Sequence, residues 1–464
     1  MSWEPVIGLE VHVQLKTKTK MFCRCANGFG EPQNTQTCPV CLAHPGTLPV
    51  PNRTAVEWTV KLGLALGCAI APRAIFHRKN YFYPDNPKGY QISQYDEPLC
   101  VDGGVVVPGE DGDHEVGIVR AHLEEDAAKT VHRGGAGGRI VGAERSLIDF
   151  NRGGTPLVEI VTRPDIRSAE QARRFLQLLR QTIVELGISD AEMEKGTLRC
   201  DANVSVREVG EEGFRTRWEL KNMNSFTFIG RGIDAAVREQ VAIHETGGEV
   251  LQETYDYDAD RDTLTPHRAK EEADDYRYFP EPDLVPIEPE PELVERLRGE
   301  LPELPGARIA RHARVLGVAD ALAVVTTERD RDYAALVDEG VPPREAFNFV
   351  MNQSVPTGAD LQELAKIIKA TKKLTRAALI GAVAASAAPG FAADTYLEQT
   401  TITDTAELEP LIEGILAANE SQVATYRAGK EGVLGFLVGQ VMKETGGTAD
   451  PKVVNELLRE KLKA

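Results

Sequence analysis

No run of apolar residues in this chain reaches the roughly 18 needed to span a bilayer; the longest, around Leu62 to Ala71, is too short. The opening MSWEPVIGLE has neither the basic region nor the apolar stretch of a secretory leader. No membrane association is therefore expected, and the cytoplasm is the expected compartment. Positive charge is outnumbered, 53 Lys and Arg against 71 Asp and Glu. A net charge of −18 excludes a protein that coats nucleic acid through bulk electrostatics, although it leaves room for a local basic footprint. There is no Walker-type GxxxxGK[ST] and no glycine-rich kinase loop, so any nucleotide site must be of another design. No repeat of fixed period is present.

What is present reads as a soluble globular protein of two to four domains, because 464 residues can bury a sizeable core. The stretch GLEVHVQLK, Gly8 to Lys16, alternates as a strand does. Ile7, Leu9, Val11, Val13 and Leu15 form its apolar face, and Gly8, Glu10, His12 and Gln14 line the other. GTLRCDANVSVR places Leu198, Cys200, Ala202, Val204 and Val206 opposite Thr197, Arg199, Asp201, Asn203 and Ser205. VEIVTR, Val158 to Arg163, is a shorter β-like run. Ser168 to Gly187 reads as a helix with a serine N-cap and a glycine stop. His132 to Ser146, rich in glycine and arginine, reads as a mobile loop.

From Glu271 to Gly306 the chain is acidic and holds seven prolines from Pro280 to Pro305. No regular element is expected there, and the stretch marks the edge of the first domain. Beyond it the spacing is helical throughout, with a break near Pro389 and Gly390. The expected class is α+β, with domains at residues 1–291, 292–400 and 401–464.

Four of the seven cysteines cluster: Cys23 and Cys25 form one pair, Cys38 and Cys41 the other. Two such pairs can close a tetrahedral four-sulfur zinc site, structural rather than catalytic because it has no open position. Reduced, metal-free thiols are the alternative. Cys68, Cys100 and Cys200 lie in apolar or strand contexts and read as buried small hydrophobes.

GIVRAHLEEDAAK, Gly117 to Lys129, as a strand would set Arg120, His122 and Glu124 on one side with Glu125 just past its end. As the start of a helix it would be a solvated charged turn. Glu10, His12, Glu124, Glu125, Asp201 and Asn203 all fall in β-like segments with apolar backs, and strands of one sheet would gather them. Packed carboxylates repel unless a cation sits among them. Oxygen-rich clusters with at most one imidazole favour magnesium or manganese over zinc. Arg78, Lys79, Lys88, Arg152 and Lys221 could serve phosphate or carboxylate charge, or could be ordinary surface cations. The tract His77 to Gln94 is rich in tyrosine and phenylalanine: either a packed loop or a stacking surface for a base.

IGLEVHVQL, RKNYFYPDNPKGYQISQ, AHLEEDAAK, LIDFNRGGTPLVEIV, GTLRCDANVSVR, ELKNMNSF, DDYRYFPEPDL and GKEGVLGFLVGQVMKETGG occur in this order. Together they resemble the B-subunit family of the bacterial glutamyl/aspartyl-tRNA amidotransferases, from residue 6 to the C-terminus. The resemblance implies an antiparallel-sheet cradle domain, a helical domain and a helical tail domain that contacts tRNA. It implies partners: an amidase-type A subunit that releases ammonia, a small C subunit, and misacylated tRNA(Gln) or tRNA(Asn). It also implies ATP- and magnesium-dependent phosphorylation of the side-chain carboxylate, followed by displacement of phosphate by ammonia.

Carried over residue by residue, the resemblance assigns Glu10, His12 and Glu125 to magnesium, with Asp201 and Glu124 in the acidic pocket. Lys79, Asn80, Tyr81, Lys88, Arg152, Asn203 and Lys221 fall in motifs lining the ATP and transamidation site. The four cysteines match a zinc loop found in some members. Lys430 and Lys443 are assigned to tRNA; an exposed amphipathic helix explains those lysines nearly as well, and the resemblance decides. No Ser/Lys amidase signature is evident, so the chain alone is not expected to use glutamine. Two rival classes are a non-catalytic tRNA-binding module and a ligase acting on free glutamate.

Overall fold

The computed structural model describes residues 2–134, 142–269, 273–370, 374, 376–397, 405–445 and 449–463. The chain divides into two compact units, Met1–Arg311 and His312–Ala464.

Among its described residues the first unit holds fourteen strands: β1 Trp3–Gln14, β2 Ala69–Ile70, β3 His77–Asn80, β4 Tyr90–Ser93, β5 Cys100–Val107, β6 His114–Glu125, β7 Lys129–Arg133, β8 Arg145–Asp149, β9 Pro156–Thr162, β10 Leu198–Glu208, β11 Trp218–Lys221, β12 Glu253–Asp258, β13 Thr263–Ala269 and β14 Phe279–Pro280. Nine of them form one sheet in the order β13-β12-β11-β10-β1-β9-β6-β5-β2. Every pairing in it is antiparallel except β11 with β12. The parallel pair is joined through the helix Phe226–Glu245, since strands of the same direction need a long crossover.

One face of the sheet is the core. Ile7, Leu9, Val11 and Val13 of β1, Val158 and Ile160 of β9, and Ala202 and Val204 of β10 are essentially excluded from solvent. They pack with residues of three helices: α1 Arg53–Ala65, α2 Ala169–Glu185 and α3 Phe226–Glu245. Ser168 caps α2 by accepting from the Gln171 amide, and Gly187 beyond its end adopts φ +72°. Both features were legible in the sequence.

Two local expectations are corrected. The ends of the His132 to Ser146 stretch are not loop: β7 and β8 pair with His132 opposite Ser146, because Thr130, Val131, Leu147 and Ile148 supply branched residues on both strands; residues 135–141 lie outside the described residues. The proline-dense stretch also carries regular structure. Helices α4 Pro291–Gly299 and α5 Pro305–Leu316 both begin on a proline, which is tolerated where the first-turn N–H would have no partner anyway.

In the second unit the described regular elements are helices. Its last part, from Thr405–Ala418 to Pro451–Lys463, closes its own apolar cluster around Leu408, Ile412, Leu437, Val441, Val454 and Leu458.

Candidate active site

Strand register builds the site. On the face opposite the core, His122 of β6 stands beside Glu159 of β9, Glu159 beside His12 of β1, and His12 beside Arg199 of β10. The sheet thus carries a row of imidazole, carboxylate, imidazole and guanidinium. One pleat along, Glu124 follows His122. The His12 Nε2 lies 3.3 Å from Glu159 Oε2. The His122 Nε2 lies 3.6 Å from the same oxygen and 3.7 Å from Glu124 Oε2. Arg120 donates from Nε to His122 Nδ1 at 3.3 Å, which leaves the His122 proton on Nε2, facing the two acids.

His12, Glu124 and Glu159 each offer one donor atom, and the three atoms lie within 4.8 Å of one another. Burial opposes charging His12, but the hydrogen bond and charge of Glu159 and the charge of Glu124 prevail and raise it to about 9. Burial likewise opposes ionising the acids. His122 outweighs it at Glu124, holding that carboxyl low, and His122 and His12 hold Glu159 well below the usual carboxylate range. An ion entering this group would displace the His12 proton, and two ionised carboxylates with the freed imidazole fit a hard divalent cation better than zinc.

The residues expected from the sequence are distributed unevenly around this group. Glu10 accepts from Asn203 Nδ2 at 2.9 Å and stands opposite Asp201 in the sheet. Asp201 is bound by Lys221 at 2.6 Å. Glu125 pairs with Lys88 and accepts from the Ile92 amide at 3.1 Å. Glu10 and Glu125 therefore lie outside the three-donor group. Adjacent Glu124 and Glu125 leave a strand in opposite directions, which is why only one joins it.

Glu124 is fixed by Ser93 Oγ at 2.9 Å. Lys79 lies over the Tyr276 ring and its charge acts on both Glu124 and Glu159. Asn80 donates to the carbonyls of Tyr276 and Arg277, and Tyr81 is held in its neutral form by burial and the nearby Asp85. Arg152 donates to the carbonyls of Ala127 and Ala128 and lies 3.7 Å from Asp126. Lys430 and Lys443 are exposed in the second unit.

The signal for Glu159 was present in VEIVTR, where Val158 and Ile160 turn to the core and the glutamate must face the other way. Asp126 is a further residue that the local pattern did not single out. It accepts from Gln14 at 2.6 Å and from Arg199 at 2.8 Å. Although buried, it is kept low by Arg199 and Arg152. His12, Gln14, Arg152, Arg199, Asp201 and Lys221 line a cleft of about 1260 Å³.

Cys23, Cys25, Cys38 and Cys41 form a second donor group, also within 4.8 Å. Cys41 Sγ lies 4.0 Å from Cys25 Sγ and 3.9 Å from Cys38 Sγ, close to the roughly 3.8 Å edge of a tetrahedron with 2.3 Å zinc–sulfur bonds. The hydrogen bond from Cys23, the Cys38 amide and the Lys20 charge draw Cys41 down to about 4 against burial. Burial pushes Cys25 up to about 11, and the hydrogen bond to Cys41 pushes Cys23 up. The donor set fits zinc.

The first unit is thus built on a sheet whose polar wall gathers three donors that could hold a cation, and the described regular elements of the second are helices. Residues 5–295 match the family described as the GatB/GatE catalytic domain, and residues 346–462 match the GatB domain. The chain belongs to this family. It is 46% identical to the B subunit of the aspartyl/glutamyl-tRNA(Asn/Gln) amidotransferase of Syntrophotalea carbinolica, over 99% of this chain and 98% of that protein. Proteins of the same name from Chlorobium luteolum and Geobacter sulfurreducens are each 45% identical over 100% of both chains.

Proposed function

We propose that this chain is the B subunit of a tRNA-dependent amidotransferase. It takes Glu-tRNA(Gln), Asp-tRNA(Asn) or both, phosphorylates the side-chain carboxylate with ATP, and forms the amide with ammonia released by an amidase-type A partner, alongside a small C subunit. The observation that carries this reading is the convergence of His12, Glu124 and Glu159 on one face of the sheet.

A carboxylate is a poor acyl donor because its oxygen leaves badly, and phosphorylation supplies a better leaving group. Bringing carboxylate and γ-phosphate together sets two anions against each other, so catalysis rests on positioned positive charge. Bound by His12, Glu124 and Glu159, magnesium would supply part of that charge. The apolar back of β1, β6 and β9 fixes where those three side chains stand. Lys79 adds a cation beside Glu124 and Glu159. Glu10, Asn203, Asp201 and Lys221 form the neighbouring polar wall, and Lys88 and Glu125 line a separate pocket of about 260 Å³ that also reaches Cys41. In this reading the four cysteines hold a structural zinc, residues 1–291 form the cradle, residues 292–400 the helical domain, and residues 401–464 meet tRNA through Lys430 and Lys443.

The test combines the chain with its A and C partners, ATP, magnesium, glutamine and labelled Glu-tRNA(Gln) or Asp-tRNA(Asn). Amidated tRNA is the expected product. ATP hydrolysis that depends on misacylated tRNA should be lost in Glu159→Gln. Unchanged hydrolysis in that variant would favour a non-catalytic tRNA-binding module, and amidation of free glutamate would favour a small-molecule ligase.

A further inference from the structure

Among the cations of the polar wall, Arg199 is held differently from its neighbours. Lys221 is spent on Asp201 at 2.6 Å and Glu219 at 3.3 Å. Arg152 is spent on two main-chain carbonyls, and Lys88 on Glu125. The single hydrogen bond that Arg199 makes among the described residues runs from Nη2 to Asp126 Oδ2 at 2.8 Å. A guanidinium carries five N–H groups in a rigid fork; its Nε is buried without an acceptor, and three Nη hydrogens are unused among the described residues. The side chain is 41% exposed and lines the cleft of about 1260 Å³. Strand register sets it directly opposite His12.

Asp126 makes this placement rigid. Its carboxylate is 5% exposed and receives Gln14 at 2.6 Å as well as Arg199, with Arg152 at 3.7 Å. One carboxylate facing two guanidiniums leaves a surplus positive charge beside the His12, Glu124 and Glu159 group. A fork held at Nη2, with its remaining Nη hydrogens unused, can offer those N–H groups to a tetrahedral oxyanion in the cleft.

We propose that Arg199 is a catalytic residue that binds the γ-phosphoryl group in flight, and that Asp126 is the positioning residue that aims it. The inference rests on the kinase reading above. In the step concerned, a carboxylate oxygen of the substrate forms a bond to the γ-phosphorus. The bond from that phosphorus to the β–γ bridging oxygen breaks, and ADP leaves with the electron pair. The unused Nη hydrogens of Arg199 meet the negative charge spread over the phosphoryl oxygens in that passage.

The experiment uses the assembled amidotransferase with misacylated tRNA and follows ADP release in Arg199→Ala, Arg199→Lys and Glu159→Gln. Arg199→Ala is expected to lower kcat by about a hundredfold or more with KM for ATP and for tRNA little changed, and added guanidinium ion should restore part of the loss. Arg199→Lys keeps the charge and the Asp126 pairing but not the fork. It should fold and assemble like the parent and still lose about tenfold or more in kcat. A parental kcat in folded Arg199→Lys, a rise in KM with kcat intact, or no response of Arg199→Ala to guanidinium would each overturn the assignment. Full activity in Glu159→Gln would instead sink the kinase reading itself, so the two failures are distinguishable.

Discussion

The indole of Trp3 and the imidazole of His244 stack with centroids 5.2 Å apart and planes 15° from parallel, joining the start of β1 to the last turn of α3. Arg215 lies over the indole at 5.0 Å. Burial and then the charge of Arg215 hold His244 below its ordinary value. A base depressed in the folded state binds protons more readily when unfolded, so the contribution is present above the unfolded value of about 6.5 and is lost as pH falls from there through the lower folded value. In His244→Phe the decline in thermal stability from pH 7 to pH 5 should be shallower than in the parent. Equal slopes would reject this account.

Lys20 is wholly buried, with its ammonium 2.9 Å from the Phe150 carbonyl and 3.8 Å from Cys41 Sγ. Replacing it with methionine keeps the stem and strips the charge that favours the Cys41 thiolate. Lys20→Met should retain less zinc per chain, measured by elemental analysis, and should melt lower, since a buried carbonyl left without its partner costs about 1–3 kcal/mol.

Stripping zinc with a chelator should loosen the loop from Cys23 to Cys41 without abolishing turnover, because a site closed by four sulfurs has no position for substrate. Limited proteolysis would report the loosening. Loss of amidation in step with zinc, and its return on reloading, would show that the loop serves the reaction directly.

Arg308 of α5 pairs with Glu185 at the end of α2, with side-chain exposures of 8% and 13%. Removing one member of a buried pair leaves an uncompensated charge and costs about 3–5 kcal/mol. Arg308→Met should therefore lower the first unfolding transition, and hydrogen exchange should quicken in α2. Glu185→Gln in the same background should recover part of the loss.

Glu159→Gln tests the cation group without turnover. Manganese binding, followed by its paramagnetic signal, should weaken on the order of tenfold or more. Glu10→Gln should weaken it less, because Glu10 is turned toward Asn203 and lies outside the three-donor group.

The architecture of the first unit was readable wherever alternation is regular. β1 and β10 showed both faces in the sequence, and His12 and Glu124 stood out because polar groups lay behind an apolar row. Glu159 escaped because VEIVTR is short and its apolar residues mark the core face alone. Arg199 was assigned to the correct face, but its pairing with His12 depends on register between distant strands, which no local pattern carries. The helices that begin at Pro291 and Pro305 were hidden because proline density reads as a break, although proline suits the first turn.

The central position of β1 has a consequence for synthesis. Glu10 and the Asn203 that holds it are 193 residues apart, and both neighbours of β1 in the sheet, β9 and β10, follow it only after a long stretch of chain. At translation speeds of about 5–20 residues per second, this strand leaves the ribosome roughly 10–40 s before its second partner. Until β9 emerges this apolar ribbon has two bare hydrogen-bonding edges, and one stays bare until β10 follows. Nascent chains of this protein should therefore lean on holdase chaperones until β10 emerges, and the slow phase of refolding in vitro should track the closure of that long-range pairing.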